Sequence, residues 1–312
     1  MTISRRNVLL GGALGTACAV TAGLTAACGR SGHTISIAAG EPDGFYIEFA
    51  NLLRPLLDAR VIPTLGSVQN IRAVTAGTAD LGLALADSLD AARIGAPAFG
   101  GRPMTLYALG RVYENYMQLV VRADSPVRTL TDLAGRSVSL GANGSGAALF
   151  GERLFATAGV QPGQTRHLAL TDAVAALRDN MIDAMLWSGG VPTPLLAEAD
   201  RAWGIRLLDL GDYVPALRAR YGRYYDQLAL PAGSYRSVSA VRTIGVPNLL
   251  VTGTHTDDSV VRDTVRALVE HAGQLVPAQA RGTQYLDVGN LINTEPLPLH
   301  PAAASTYRAL RG

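Results

Sequence analysis

Residues 73–84, AVTAGTADLGLA, and residues 176–187, ALRDNMIDAMLW, decide the fold, because they write one unit twice. Aligned without gaps, they set Gly77 against Asn180 and Asp80 against Asp183. Each copy carries a helical run, a tight stop, an acidic residue and an apolar strand. Glycine and asparagine are the residues that most readily take the left-handed conformation closing a helix. The repetition points to two similarly wound α/β lobes.

Outward from the first copy, ISIAAG (35–40) reads as a strand, EPDG (41–44) as a loop and FYIEFANLLRPLL (45–57) as a helix. VIPTLG (61–66) is a second strand, VQNIRAVTAG (68–77) a helix and TADLGLALAD (78–87) a third strand. Around the second copy, VRTLTDLAGRSVSLG (127–141) gives a short helix, a glycine stop and a strand. GANGSG (141–146) then opens the helix AALFGERLFATAG (147–159). Alternation of this kind indicates parallel pairing. NYMQLVVR (115–122) and TIGVPNLLVT (243–252) are apolar and β-rich without helical periodicity, and read as two crossing hinge strands. The helix from Asp257 through Ala272 is expected to return to the first lobe. Residues 191–235, rich in Pro, Tyr and Gly, resist finer division.

Composition removes whole classes of function. The 27 basic residues are all arginine, so no Schiff-base or phosphate-loop lysine exists. The chain opens MTISRRNVLLGGALG, with Arg5 and Arg6 before an apolar stretch, and reaches LTAAC at Cys28. A charged start, an apolar middle and small residues before a cut site make an export signal of twin-arginine type over residues 1–27. Cleavage there leaves Cys28 as a new N-terminus for lipidation, followed by a linker through residue 33. The alternatives are a permanent anchor, for which the stretch is too short and too rich in Gly and Ala, or an ordinary signal with a chance cysteine. Losing Arg5 and Arg6 balances the remaining arginines against the 25 acidic residues, which speaks against a nucleic-acid partner. Cys18 falls in the signal and Cys28 takes the lipid, so no thiol is left for disulfide, metal or nucleophile.

Three turns join glycine, a small polar residue and a helix start: DGFY at Asp43, GSVQN at Gly66 and GSGAA at Gly144. Helix N-termini present unpaired N–H groups and partial positive charge, so such turns bind anions. Ser67 and Ser145 could equally cap their own helices. Enzyme readings fare poorly. GANGSG lacks the G-x-S-x-G order of a nucleophile elbow and reverses the dinucleotide fingerprint. His33, His167, His255, His271 and His300 are scattered without metal-ligand spacing. No cofactor, no metal and no catalytic residue are expected.

Several blocks resemble one family, the TAXI-type solute-binding proteins. LGSVQNIRAVTAGTADLGLALAD (65–87) is similar to its Gly-Ser turn before a helix ending A-G-x-x-D. YMQLVVRADSPVRTLTDLAGRSVSLGANGSG (116–146) is similar to its hinge strand, D-L-x-G-x-x-V strand and G-S-G turn. IDAMLWSGGVPTP, IGVPNLLV and LPLHPAAASTYR follow in the family's order. The resemblance implies a two-lobed periplasmic-binding-protein type II fold, each lobe a mixed sheet flanked by helices. Lobe I is then 34–119 with 248–312, and lobe II is 120–247. It also implies a receptor that hands a small carboxylate, glutamate-like or a 2-oxo dicarboxylate, to a TRAP-type permease. By matching position, the ligand shell draws on Tyr46, Ser67, Asn70, Gln118, Ser145, Gly146, Ala147, Trp187 and Gly189. Gly44 and Asn143 join it from the turns, and Asp87 from beside the cleft. Departures exist: AAGEPDGFY replaces a Thr-Gly-Gly turn, and Ala147 stands where threonine is common. Glu41 and Asp43 bring negative charge to the site, which favours an amine-bearing ligand over a bare dicarboxylate. A receptor reporting to a sensor kinase, and an extracytoplasmic enzyme on the same scaffold, stay open as alternatives.

Overall fold

A computed structural model describes residues 34–42, 44–277 and 286–311; the expected signal, Cys28, His33 and Asp43 lie outside the described residues. The first half runs β1 (Ser36–Ala38), α1 (Phe45–Leu57), β2 (Arg60–Ile62), α2 (Ser67–Thr75), β3 (Leu81–Leu85) and α3 (Ala86–Arg93). A long strand, β4 (Tyr107–Arg122), leads to β5 (Ser137–Ser139), α4 (Gly146–Ala158), β6 (Gln164–Arg166), α5 (Leu170–Arg178) and β7 (Ala184–Gly189). Then come α6 (Pro194–Trp203), β8 (Ile205–Leu207), α7 (Val214–Tyr221), β9 (Asp226–Leu230) and the second long strand, β10 (Val241–Thr252). Helices α8 (Asp258–Glu270), α9 (Val288–Leu291) and α10 (Pro301–Leu310) follow.

The repeated unit exists in the backbone. Gly77 and Asn180 both have positive φ, +70° and +56°, and both follow the helix they close. Asp80 accepts from the Ser36 N–H at 2.7 Å, and Asp183 accepts from the Ser137 N–H at 2.9 Å. In both copies the N–H of the acid donates back to the same serine's carbonyl, at 3.1 and 2.7 Å. The acid thus fastens the start of the third strand of each half to the start of its first. Strand order is equivalent as well: β2-β1-β3 and β6-β5-β7, parallel throughout.

These two parallel sets are the ends of one sheet of ten strands, ordered β2-β1-β3-β10-β4-β7-β5-β6, with β8 beside β4 and β9 beside β10. The expected crossing strands, β4 and β10, lie antiparallel at its centre. Helix α1 buries Phe45, Phe49, Leu53 and Leu57 at a four-residue spacing, the single stripe an amphipathic helix turns to a core. That stripe packs with Val261, Val265 and Leu268 of α8, so the C-terminal helix does return to the first half. In the second half Val138, Phe150 and Leu154 pack with Val214 and Leu217. Burying each such side chain contributes roughly 1.5–3 kcal/mol.

The strand expected over 78–87 stops at Leu85, where α3 begins at Ala86. Ala86, Leu89 and Ala92 are all buried, so a run of small apolar residues satisfies either period and packing decides. The stretch 191–235 resolves into α6, β8, α7 and β9. Strands β8 and β9 are three and five residues long and owe their conformation to β4 and β10, distant in sequence. No described helix is long and apolar enough to cross a membrane.

Candidate functional site

The C-terminal ends of β1, β3, β5 and β7 border one cleft, through Gly40, Leu85, Gly141 and Ser188. Parallel strands run out at this edge, which is where open α/β sheets hold ligands. Three helices begin here. Helix α1 brings Gly44, Phe45 and Tyr46; α2 brings Gly66 and Ser67; α4 brings Ser145, Gly146 and Ala147. Their first-turn N–H groups lack intrahelical acceptors, and their partial positive charges add at a common point.

The approach of α2 to α4 is as close as side chains permit. A Cβ on Gly146 would stand 2.6 Å from Ser67 Oγ and 2.5 Å from Leu85 Cδ1, so only glycine lets these two helix starts meet. Backbone seals the same junction: the Gln69 N–H donates to the Gly144 carbonyl at 3.2 Å. Both serine hydroxyls are engaged within the fold. Ser67 Oγ accepts from the Leu85 N–H at 3.1 Å and lies 3.1 Å from the Tyr46 hydroxyl. Ser145 Oγ caps α4 through the Ala148 N–H at 3.0 Å. The N–H groups of Gly146 and Ala147, both at the cleft, stay available to a ligand.

Of the residues expected in the ligand shell, Gly44, Tyr46, Ser67, Ser145, Gly146, Ala147 and Trp187 line the cleft together. Trp187 is held there by its indole N–H, which donates to Thr193 Oγ1 at 3.2 Å. Five others stand apart from the lining. Asn70 is fully buried and ties the α2 turn to the sheet, donating to the Ala39 and Leu83 carbonyls and accepting from Thr64 Oγ1. Gln118 fastens the chain after β7, donating to the Gly190 carbonyl at 3.2 Å and accepting from the Tyr235 hydroxyl. Gly189 packs against the Trp187 indole, 2.6 Å from a Cβ built on it. Asn143 is exposed at the turn before α4.

Asp87 is fully buried on α3, and its carboxylate accepts from the Tyr225 hydroxyl at 3.2 Å. Arg153 of α4 lies 3.7 Å from that carboxylate and donates to the Asp87 carbonyl at 3.2 Å. Burial pushes the Asp87 carboxyl above its ordinary range, against the pull of the Arg153 guanidinium and the Tyr225 hydroxyl. This ion pair joins the two halves of the sheet beside the cleft.

Asn115 of β4 and Glu41 line the cleft as well, and neither belongs to the ligand set expected from the sequence. Glu41 lines the cleft from the loop after β1, and its carboxylate accepts from the Leu170 N–H at 2.8 Å, capping α5 of the opposite half. Burial raises its pKa; the Leu170 hydrogen bond lowers it, and Asp172 nearby raises it further. Asn115 sits on the central strand, donates to Ser188 Oγ at 2.8 Å and presents a buried carbonyl oxygen with no partner among the described residues. Its signal in the sequence was a polar residue inside an apolar hinge strand. Among the described residues, no arginine or histidine lines the cleft, and Glu41 is its one charged lining residue. Among the described residues, no group of three or more His, Cys, Asp or Glu could hold a metal ion.

The architecture recurs in solved structures. One described as a periplasmic transporter superposes with a TM-score of 0.52 at 14% identity, covering 89% of this chain and 92% of that one. MatC from Rhodopseudomonas palustris, solved with bound malate, gives 0.50 at 16% identity over 75% of this chain and 84% of its own. XAC2383 from Xanthomonas citri, bound to chloride ion, gives 0.50 at 14% identity over 89% and 95%. The fold is the two-lobed type II periplasmic-binding-protein fold. Residues 52–309 match the NMT1-like family, a span that runs from within α1 to within α10. By that match, which takes in every element bordering the cleft except β1 and the start of α1, the chain belongs to the NMT1-like family.

Proposed function

We propose that the protein is an exported, lipid-tethered solute receptor that captures a small carboxylate or amino acid in this cleft and delivers it to a TRAP-type membrane permease. The observation that carries the reading is the meeting of the α1, α2 and α4 N-termini at one cleft with no cationic side chain among its described lining residues. Each helix start contributes roughly 0.3–2 kcal/mol towards a bound anion. Main-chain amides at the starts of α2 and α4 hold the carboxylate, and the start of α1 adds its partial positive charge. The malate in MatC, which shares the fold, is a small carboxylate and agrees with this chemistry. In this reading, residues 34–119 with 248–312 and residues 120–247 close on the solute as lobes, with β4 and β10 as the hinge. Cys28 anchors the receptor at the membrane surface, and neither cofactor nor turnover takes part.

Native mass spectrometry of the purified protein tests the capture step. A single small solute, released on denaturation and restoring a raised melting temperature when added back, is expected. A folded protein that carries no solute and is not stabilised by any member of a broad panel of carboxylates and amino acids overturns the reading. Solute uptake by vesicles holding a TRAP-type permease, with and without this receptor, tests delivery. Uptake independent of the receptor contradicts it.

A further inference from the structure

The acceptors of the cleft say what else the solute carries. Glu41 is nine-tenths buried, and the N-terminus of α5 engages one of its carboxylate oxygens, through the Leu170 N–H at 2.8 Å. Asn115 is 97% buried, since only 3% of it is exposed, and its amide nitrogen is committed to Ser188. Its carbonyl oxygen faces no donor among the described residues. A buried acceptor without a donor keeps the full penalty of its lost hydration, and a buried carboxylate without a countercharge costs more. Glu41 and Asn115 line the same cleft, and no arginine or histidine among the described lining residues answers either one. A bare dicarboxylate would leave both unanswered and add negative charge beside Glu41.

Resting on the receptor reading above, we infer that Glu41 and Asn115 form an ammonium-binding corner of the cleft, so that the solute is an amino acid rather than a dicarboxylate. The α-carboxylate takes the main-chain amides at the starts of α2 and α4. The α-ammonium donates to the free oxygen of Glu41 and to Asn115 Oδ1, closing both deficits at once. The side chain of the solute rests against Phe45 and Trp187, which supply the aromatic walls. Charge is balanced within the site, with Glu41 against the ammonium and the helix starts against the carboxylate.

Calorimetric titration with matched pairs tests this: each of a panel of L-amino acids against the same acid lacking only the amine, such as glutamate against glutarate and alanine against propionate. The amino member is expected to bind at least tenfold tighter than its partner. Glu41→Gln keeps an acceptor for the Leu170 N–H and removes only the charge. It is expected to weaken the amino member at least tenfold and to leave the deaminated acid unchanged or tighter. Asn115→Asp keeps an acceptor at the cleft and is expected to widen the preference for the amino member. Deaminated acids binding as tightly as their partners in the wild-type protein overturn the ammonium corner and leave the receptor reading standing. No binding of either member of any pair, with the protein folded, overturns both.

Discussion

At Gly146 the whole site depends on a missing methyl group. A Cβ there would meet Ser67 Oγ and Leu85 Cδ1 at 2.6 and 2.5 Å. Gly146→Ala is therefore expected to force α2 and α4 apart, at a cost of about 1–3 kcal/mol as overpacking, and to weaken solute binding at least tenfold. Urea titration and calorimetry read the two effects separately. Ser145→Ala removes the cap on Ala148 and is expected to destabilise the protein by about 1 kcal/mol. Glu114 offers a pH test. It is 3% exposed on β4, and burial raises its pKa to about 7 despite the Arg111 guanidinium, with Asp226 adding to the rise. The folded state then holds a proton that the unfolded state has released, so Glu114 makes stability fall as pH rises from about 4.5 to 7. Glu114→Gln is expected to flatten that fall, by an amount on the order of 3 kcal/mol at most. Thermal melts of both proteins at pH 5 and pH 8 check it; equal slopes contradict it.

At the scale of elements, the helix–stop–acid–strand unit was legible because each part is local chemistry. Asn180 at φ +56° closes α5 as Gly77 at φ +70° closes α2. Asn180→Ala keeps the side chain small but makes the left-handed conformation cost about 1–2 kcal/mol, a loss that chemical denaturation will register. Asn180→Gly is expected to be neutral or stabilising. What the sequence did not disclose was non-local. The start of α3 inside LALAD depends on packing, and β8 and β9 form only because β4 and β10 receive them. The site divides along the same line. The glycine-serine turns at Gly66 and Gly144 advertised the helix starts, whereas Asn115 acquires meaning only when β7 places Ser188 beside it. Asn70 and Gln118 look like ligand residues in sequence, yet their amides hold the fold together.

Across the whole molecule, contacts between the two halves of the sheet surround the cleft. The Glu41 carboxylate meets α5, the Gln69 N–H meets the Gly144 carbonyl, and Asp87 meets Arg153 and Tyr225. Arg153→Ala strands a buried carboxylate and is expected to cost about 3–5 kcal/mol, while Asp87→Asn with Arg153→Met should recover most of that. Equal melting temperatures for the single and double variants would contradict a buried pair acting as a clamp. Whether main-chain amides at the starts of α2 and α4 grip a small acid between the halves is read from a crystal structure of the protein with its copurified or best-binding solute. A carboxylate within hydrogen-bond distance of the Gly146 and Ala147 N–H groups is expected there. A solute bound elsewhere on the surface, or held with its acid group on an arginine, would contradict it.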